Sequence, residues 1–179
     1  MSMHEALILA GPGNRLDTLC AEAAGGACIL LDPDETELHA AHDLVQELSS
    51  LAGTRLYVPP ALAAYAPDAS VLTGCGPFGG PLAGRLRRHR DQWGSRAAAL
   101  IRPCSAQAVI SDGGAVLSRA QTVLPAPARG ALYSDGCCCA YLVRRTDGGW
   151  QFSLFDTERS IRKKAALCRS LQLTYFILL

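Results

Sequence analysis

The chain has 179 residues, of which 49% are hydrophobic and 18% charged, with a formal net charge of +1; this excludes a disordered or collagen-like chain and suits one compact domain. Apolar runs such as residues 6–10, 97–101 and 175–179 are far below the roughly 20 residues of a bilayer crossing, so no membrane span is expected. The opening MSMHEALILAG lacks a positive flank and a long apolar region, so the expected location is cytoplasmic.

Along the chain, residues 6–10 form a short apolar run ended by Gly11, the pattern of a buried strand. Leu16, Leu19, Cys20 and Ala23 share one face of a predicted helix over 15–24, stopped by Gly25 and Gly26,. Residues 27–31 give a second buried strand. Over 35–51, Leu38, Ala41, Val45 and Leu48 repeat at helical spacing behind an acidic first turn, which predicts a second helix.

A third strand is predicted over 54–58, stopped by Pro59 and Pro60, and a fourth over 70–73, ending in the glycine-rich loop 74–80. The pattern from 81 to about 100 is helical, with an interruption at Gly94. After Pro103, short strands are predicted over 106–111 and 115–117, then a linker over 122–130,. Segments 137–145 and 150–155 flank Asp147-Gly148, a hairpin signal,. A basic amphipathic helix follows over 157–171, with Thr157 as its cap, and a last strand over 173–178. The expectation is an α/β fold in a single domain. Residues 1–102 form a mostly parallel, Rossmann-like sheet with helices on both faces, and 103–179 a basic, more antiparallel part with the hairpin.

Function is most legible near the start. Gly11 and Gly13 follow a strand and open a helix, which permits a tight turn and a close approach of a ligand to the backbone. Asp32 lies 21 residues after Gly11 at the tip of the second strand, where a carboxylate can accept from two ribose hydroxyls. The strings ILAGPGNRL and CILLDPDETELHAA resemble the glycine loop and acidic strand tip of class I S-adenosylmethionine-dependent methyltransferases, over about residues 5–75. That resemblance implies S-adenosylmethionine as cofactor. Gly11 and Gly13 would lie beneath its methionine part, Asp32 would hold its ribose, and Pro33-Asp34 would lie beside its adenine. It departs from the family at Asn14-Arg15, where a small residue and another glycine are common. Asp112 and Asp135 are the candidate general bases for methyl transfer to an unidentified small molecule. The alternative functions are an interaction or assembly protein that keeps the fold without the chemistry, and a nucleic-acid-associated protein.

Residues 1–80 hold ten acidic and two basic side chains, and residues 81–179 six acidic and fifteen basic. The halves can attract each other, or copies can associate head to tail. A nucleic-acid partner would use Arg85–Arg90 and the 159–169 helix; the run over 85–93 has one aromatic, Trp93, and is expected to be a solvated helix face. His39, His42 and Asp43 are read as surface groups, and none of the eight cysteines has CxxC spacing, so no metal site is expected. Cys137, Cys138 and Cys139 are expected on one strand as small core residues.

Overall fold

Apolar runs too short for a helix, each ended by Gly or Pro, become neighbouring strands. The computed structural model describes residues 7–10, 21, 28–31, 38–50, 55–77, 79–103, 105–111, 114–120 and 130–178. The helix predicted over 15–24, apart from Ala21, and the linker, apart from Gly130, fall outside them. Strands β1 (Leu7–Ala10), β2 (Cys28–Leu31), β3 (Arg55–Val58), β4 (Ser70–Gly74) and β5 (Ala97–Ile101) lie side by side in that order. The pairs β1–β2, β2–β3 and β3–β4 are parallel. Every residue of β2 and of β5 is buried, as expected of a parallel strand covered on both faces. The class is α/β with a parallel sheet and a separate antiparallel sheet.

The chain divides into two compact units, residues 1–74 with 89–99 and residues 75–88 with 100–179. In the first, helix α1 (Leu38–Ser50) places Val45 and Leu48 against Ile29, Leu31, Leu56, Val58 and Val71. Val45 and Leu48, three residues apart, share a helix face. Pro59 and Pro60 end β3 as predicted, and a short 3-10 turn over Pro60–Leu62 brings the buried Leu62 into the same core.

Helix α2 (Leu82–Trp93) is shorter than the pattern suggested. It ends because Gly94 takes φ +57, a left-handed conformation open to glycine,; Ala97–Ile101 is therefore a strand and not a helical tail. The basic run is also not wholly solvated. Leu82, Leu86 and His89 are buried, while Arg87, Arg88 and Arg90 are exposed. His89 donates from Nε2 to the Val71 carbonyl at 2.9 Å. Arg96 donates to Ala69 O at 2.7 Å and Ala66 O at 3.1 Å, and its guanidinium lies 5.6 Å from the Trp93 ring centroid.

The second unit carries an antiparallel sheet in the order β7-β6-β10-β9-β8. Its strands are β6 (Ser105–Ser111), β7 (Gly114–Ala120), β8 (Leu132–Ser134), β9 (Cys139–Thr146) and β10 (Gly149–Phe155). The β9–β10 hairpin turns at Asp147-Gly148 as predicted. Cys137 and Cys138 lie in the turn before β9, Cys138 with φ +52, so only Cys139 of the three is in a strand. Helix α3 (Glu158–Ser170) begins with a capping box. Thr157 Oγ1 accepts from Ser160 N at 3.2 Å, and Ser160 Oγ accepts from Thr157 N at 3.1 Å, satisfying two of the free donors of the first turn.

At its other end Leu173 N donates to Cys168 O at 3.0 Å and Gln172 N to Arg169 O at 2.9 Å, with Gln172 at φ +55. That is a Schellman closure with glutamine at the left-handed position. Strand β11 (Thr174–Ile177) follows, and Leu178 N donates to Ile101 O at 3.1 Å. Among the described residues no helix is long and apolar enough to cross a membrane.

Two measurements test these local forces. Burial lowers the His89 pKa below its usual value, against smaller opposing contributions from hydrogen bonds to the Val71 and Ala98 backbone. The unfolded chain then takes up a proton near about pH 6.5 that the folded chain resists. The contribution of His89 is whole above that pH and is lost as pH falls. The urea midpoint should drop between about pH 7.5 and about pH 5.5 by more in the wild type than in His89→Gln, which keeps a donor for Val71. Gln172→Gly should raise stability by about 0.5–1 kcal/mol by relieving the left-handed side chain; chemical denaturation showing no gain would contradict this.

Candidate functional site

The most concentrated polar chemistry lies under α3. Its buried residues Ser160, Lys164 and Cys168 recur every four positions, so one helix face carries a hydroxyl, an ammonium and a thiol,. Asp156, between the last residue of β10 and the Thr157 cap, accepts from Lys164 Nζ at 2.6 and 2.7 Å through its two oxygens. Both side chains are 0% exposed. In so dry a setting each charge is tolerable only because the other neutralises it.

In the same unit Cys75 and Cys168 are buried thiols whose titrations influence each other. The Cys75 thiol is pushed well up by the influence of Cys168 and by burial, although Lys164 and Arg85 pull it down. The influence of Cys75 holds Cys168 below its ordinary value. At the rim, Tyr133 faces the Arg159 and Lys163 cations at 4.2 and 4.9 Å from its ring centroid. Lys163 pairs with Asp135.

A second feature of the same unit is the open face of the antiparallel sheet. Directly paired residues share a face. Trp150 is thus aligned with Ile110 on β6 and Arg145 on β9, and Phe152 with Val143. At one end this face closes over Ala106, which is buried. At the hairpin end it opens: Trp150 is 50% exposed, Ile110 46% and Val143 37%. The Arg145 guanidinium stands 6.0 Å from the Trp150 ring centroid.

Of the residues expected to carry function, Gly11, Gly13, Asp32, Asp34 and Asp112 lie outside the described residues. Asp135 is exposed, and its hydrogen bond and charge interaction with Lys163 hold its carboxyl below the usual range, which makes it a weak base. His42 donates from Nδ1 to Asp43 at 2.9 Å and meets the Tyr65 ring edge-on, with centroids 4.2 Å apart. No group of three metal-ligating side chains occurs among the described residues. The residues that the sequence did not mark are Asp156, Lys164 and Trp150. The only signal for the first two was an acid eight positions before a lysine on a predicted amphipathic helix.

No family model and no curated protein matches the chain. Its backbone is similar to a solved structure assigned as a sporulation-specific glycosylase, YdhD of Bacillus subtilis. The TM-score is 0.52 and the identity 12%, over 93% of this chain and 68% of that one. The spore cortex-lytic enzyme SleL of Bacillus megaterium has a TM-score of 0.49 at 14% identity, over 96% of this chain. A chitinase of Chromobacterium violaceum has 0.49 at 14%, over 96% of this chain and 72% of that one. The chain spans 55% of the length of the cortex-lytic enzyme.

The backbone likeness to that glycosylase structure, at a TM-score of 0.52, overturns the methyltransferase resemblance and with it S-adenosylmethionine as cofactor. The strand order supplies the physical reason. A Rossmann domain holds its cofactor in the crevice where strand order reverses, whereas β1 to β5 follow one another without reversal.

Asp156→Asn, which leaves Lys164 without its countercharge, should cost about 3–5 kcal/mol of stability. The double replacement Asp156→Leu with Lys164→Met should recover much of that loss. Denaturant titration of the three proteins decides it; a single variant as stable as the wild type would refute the sealed pair.

Proposed function

We propose that the chain is a carbohydrate-active protein and that the face around Trp150 receives the glycan. The observation that carries this reading is the half-exposed Trp150 ring, set in an open apolar strand face with Arg145 beside it. Large apolar side chains displayed together on a sheet are interaction surfaces more often than accidents. A pyranose ring offers one flat side of C–H groups, which packs on an aromatic ring. Its rim of hydroxyls needs hydrogen-bond partners, and a guanidinium supplies five N–H donors. The backbone likeness to a glycosylase supports the same substrate class.

Glycoside cleavage ordinarily uses two carboxyl groups, one of them kept protonated to serve as acid. In the second unit Asp135 has its pKa lowered and Asp156 is sealed with Lys164, so neither of these two fits the acid role; the proposal concerns glycan recognition. The test is retention of the full chain on insoluble chitin and on purified peptidoglycan. Wild-type protein should bind at least one of them, Trp150→Ala should bind at least about tenfold more weakly, and Trp150→Phe should fall between. Equal retention of wild type and Trp150→Ala, or none by the wild type, overturns the reading.

A further inference from the structure

At its open end the face around Trp150 presents side-chain donors without acceptors. Along β6, β9 and β10 the positions aligned with Trp150 and Phe152 are Ile110, Ala108, Arg145 and Val143, none of them acidic. The polar groups here are the Trp150 indole N–H and the Arg145 guanidinium, and both can only donate. Tyr141, whose hydroxyl also accepts, lies on the same face four residues before Arg145, roughly 13 Å away along the strand,. Arg145 is exposed, and among the described residues no carboxylate pairs with it, Asp147 of the hairpin turn included. The charge of the whole unit has the same sign: residues 75–88 with 100–179 hold thirteen basic and five acidic side chains, a net +8, which draws anions toward it.

Taking the glycan reading of this face as the premise, we infer that the sugar received at Trp150 belongs to a carboxylate-bearing polysaccharide. A sugar hydroxyl both donates and accepts, so a neutral sugar on a face of donors leaves its own O–H groups without protein partners. A carboxylate only accepts, through two oxygens, and a guanidinium fork meets both of them with parallel N–H bonds. With the sugar packed on the indole, a carboxylate on its rim lies toward a guanidinium that stands 6.0 Å from the ring centroid. Arg144, next in sequence, is exposed as well, but strand alternation puts it on the opposite face, aligned with Gln151,. The same charge thus occurs once beside Trp150 and once behind the sheet, which separates a local contact from the general pull of a basic unit.

Carboxymethyl chitin and hydroxyethyl chitin are soluble polymers of one backbone, the first charged and the second neutral. Calorimetric titration of the full chain at about 0.15 M salt should show the charged polymer bound at least about tenfold more tightly. Arg145→Gln should bring the two within about twofold of each other, while Arg144→Gln keeps the preference and Trp150→Ala weakens both. No preference in the wild type, binding of neither polymer, a preference that survives Arg145→Gln, or one that falls as far in Arg144→Gln overturns the inference. The glycan reading itself fails separately, if Trp150→Ala binds both polymers as tightly as the wild type.

Discussion

The second unit depends on one sealed electrostatic contact, the Asp156–Lys164 pair. It joins the residue after β10 to the middle of α3, and thereby the antiparallel sheet to the helix. Pairing two buried charges is seldom the most stabilising choice, since a well-packed apolar pair fills the same space without desolvating ions. What it adds is directionality. Lys164 has to lie on the face of α3 that meets Asp156, which fixes the rotation of the helix and puts Ser160 and Cys168 on the buried side with it. The capping box at Thr157 fixes where the helix begins, so start and rotation are set within about two turns of each other,.

The same rotation separates two kinds of chemistry. Lys163, next in sequence to Lys164, points to the rim, where it meets Asp135 and the Tyr133 ring, while Cys168 is buried. The sheet divides likewise by alternation: Trp150 stands on the open face, and Gln151 bonds Gln107 at 3.2 Å on the other. The Cys75 and Cys168 thiols thus lie inside the unit, and the open apolar face with Trp150 lies outside it.

Much of the architecture was legible from local signals. Proline stops at Pro59 and Pro60, the Asp147-Gly148 turn and the Thr157 cap each act within a few residues, and each appears where the pattern puts it. Strand β8 escaped because three residues show no period, and β5 was hidden because an apolar run after a helical one looks like its continuation until Gly94 is seen to stop it. The candidate site was less legible. Which carboxylate is sealed and which is wet depends on helix rotation, and Asp135 and Asp156 look alike as letters. Strand order was equally invisible: the same alternation of strands and helices suits a sheet that reverses and one that does not, yet only the first makes a cofactor crevice.

The eight-residue separation of Asp156 and Lys164 also bears on the order of events when the chain collapses. Closing so short a loop costs little entropy, whereas the contact between Gln107 and Gln151 spans 44 residues,. The turn into α3 can therefore form first, and the sheet can condense onto a helix whose orientation is already chosen.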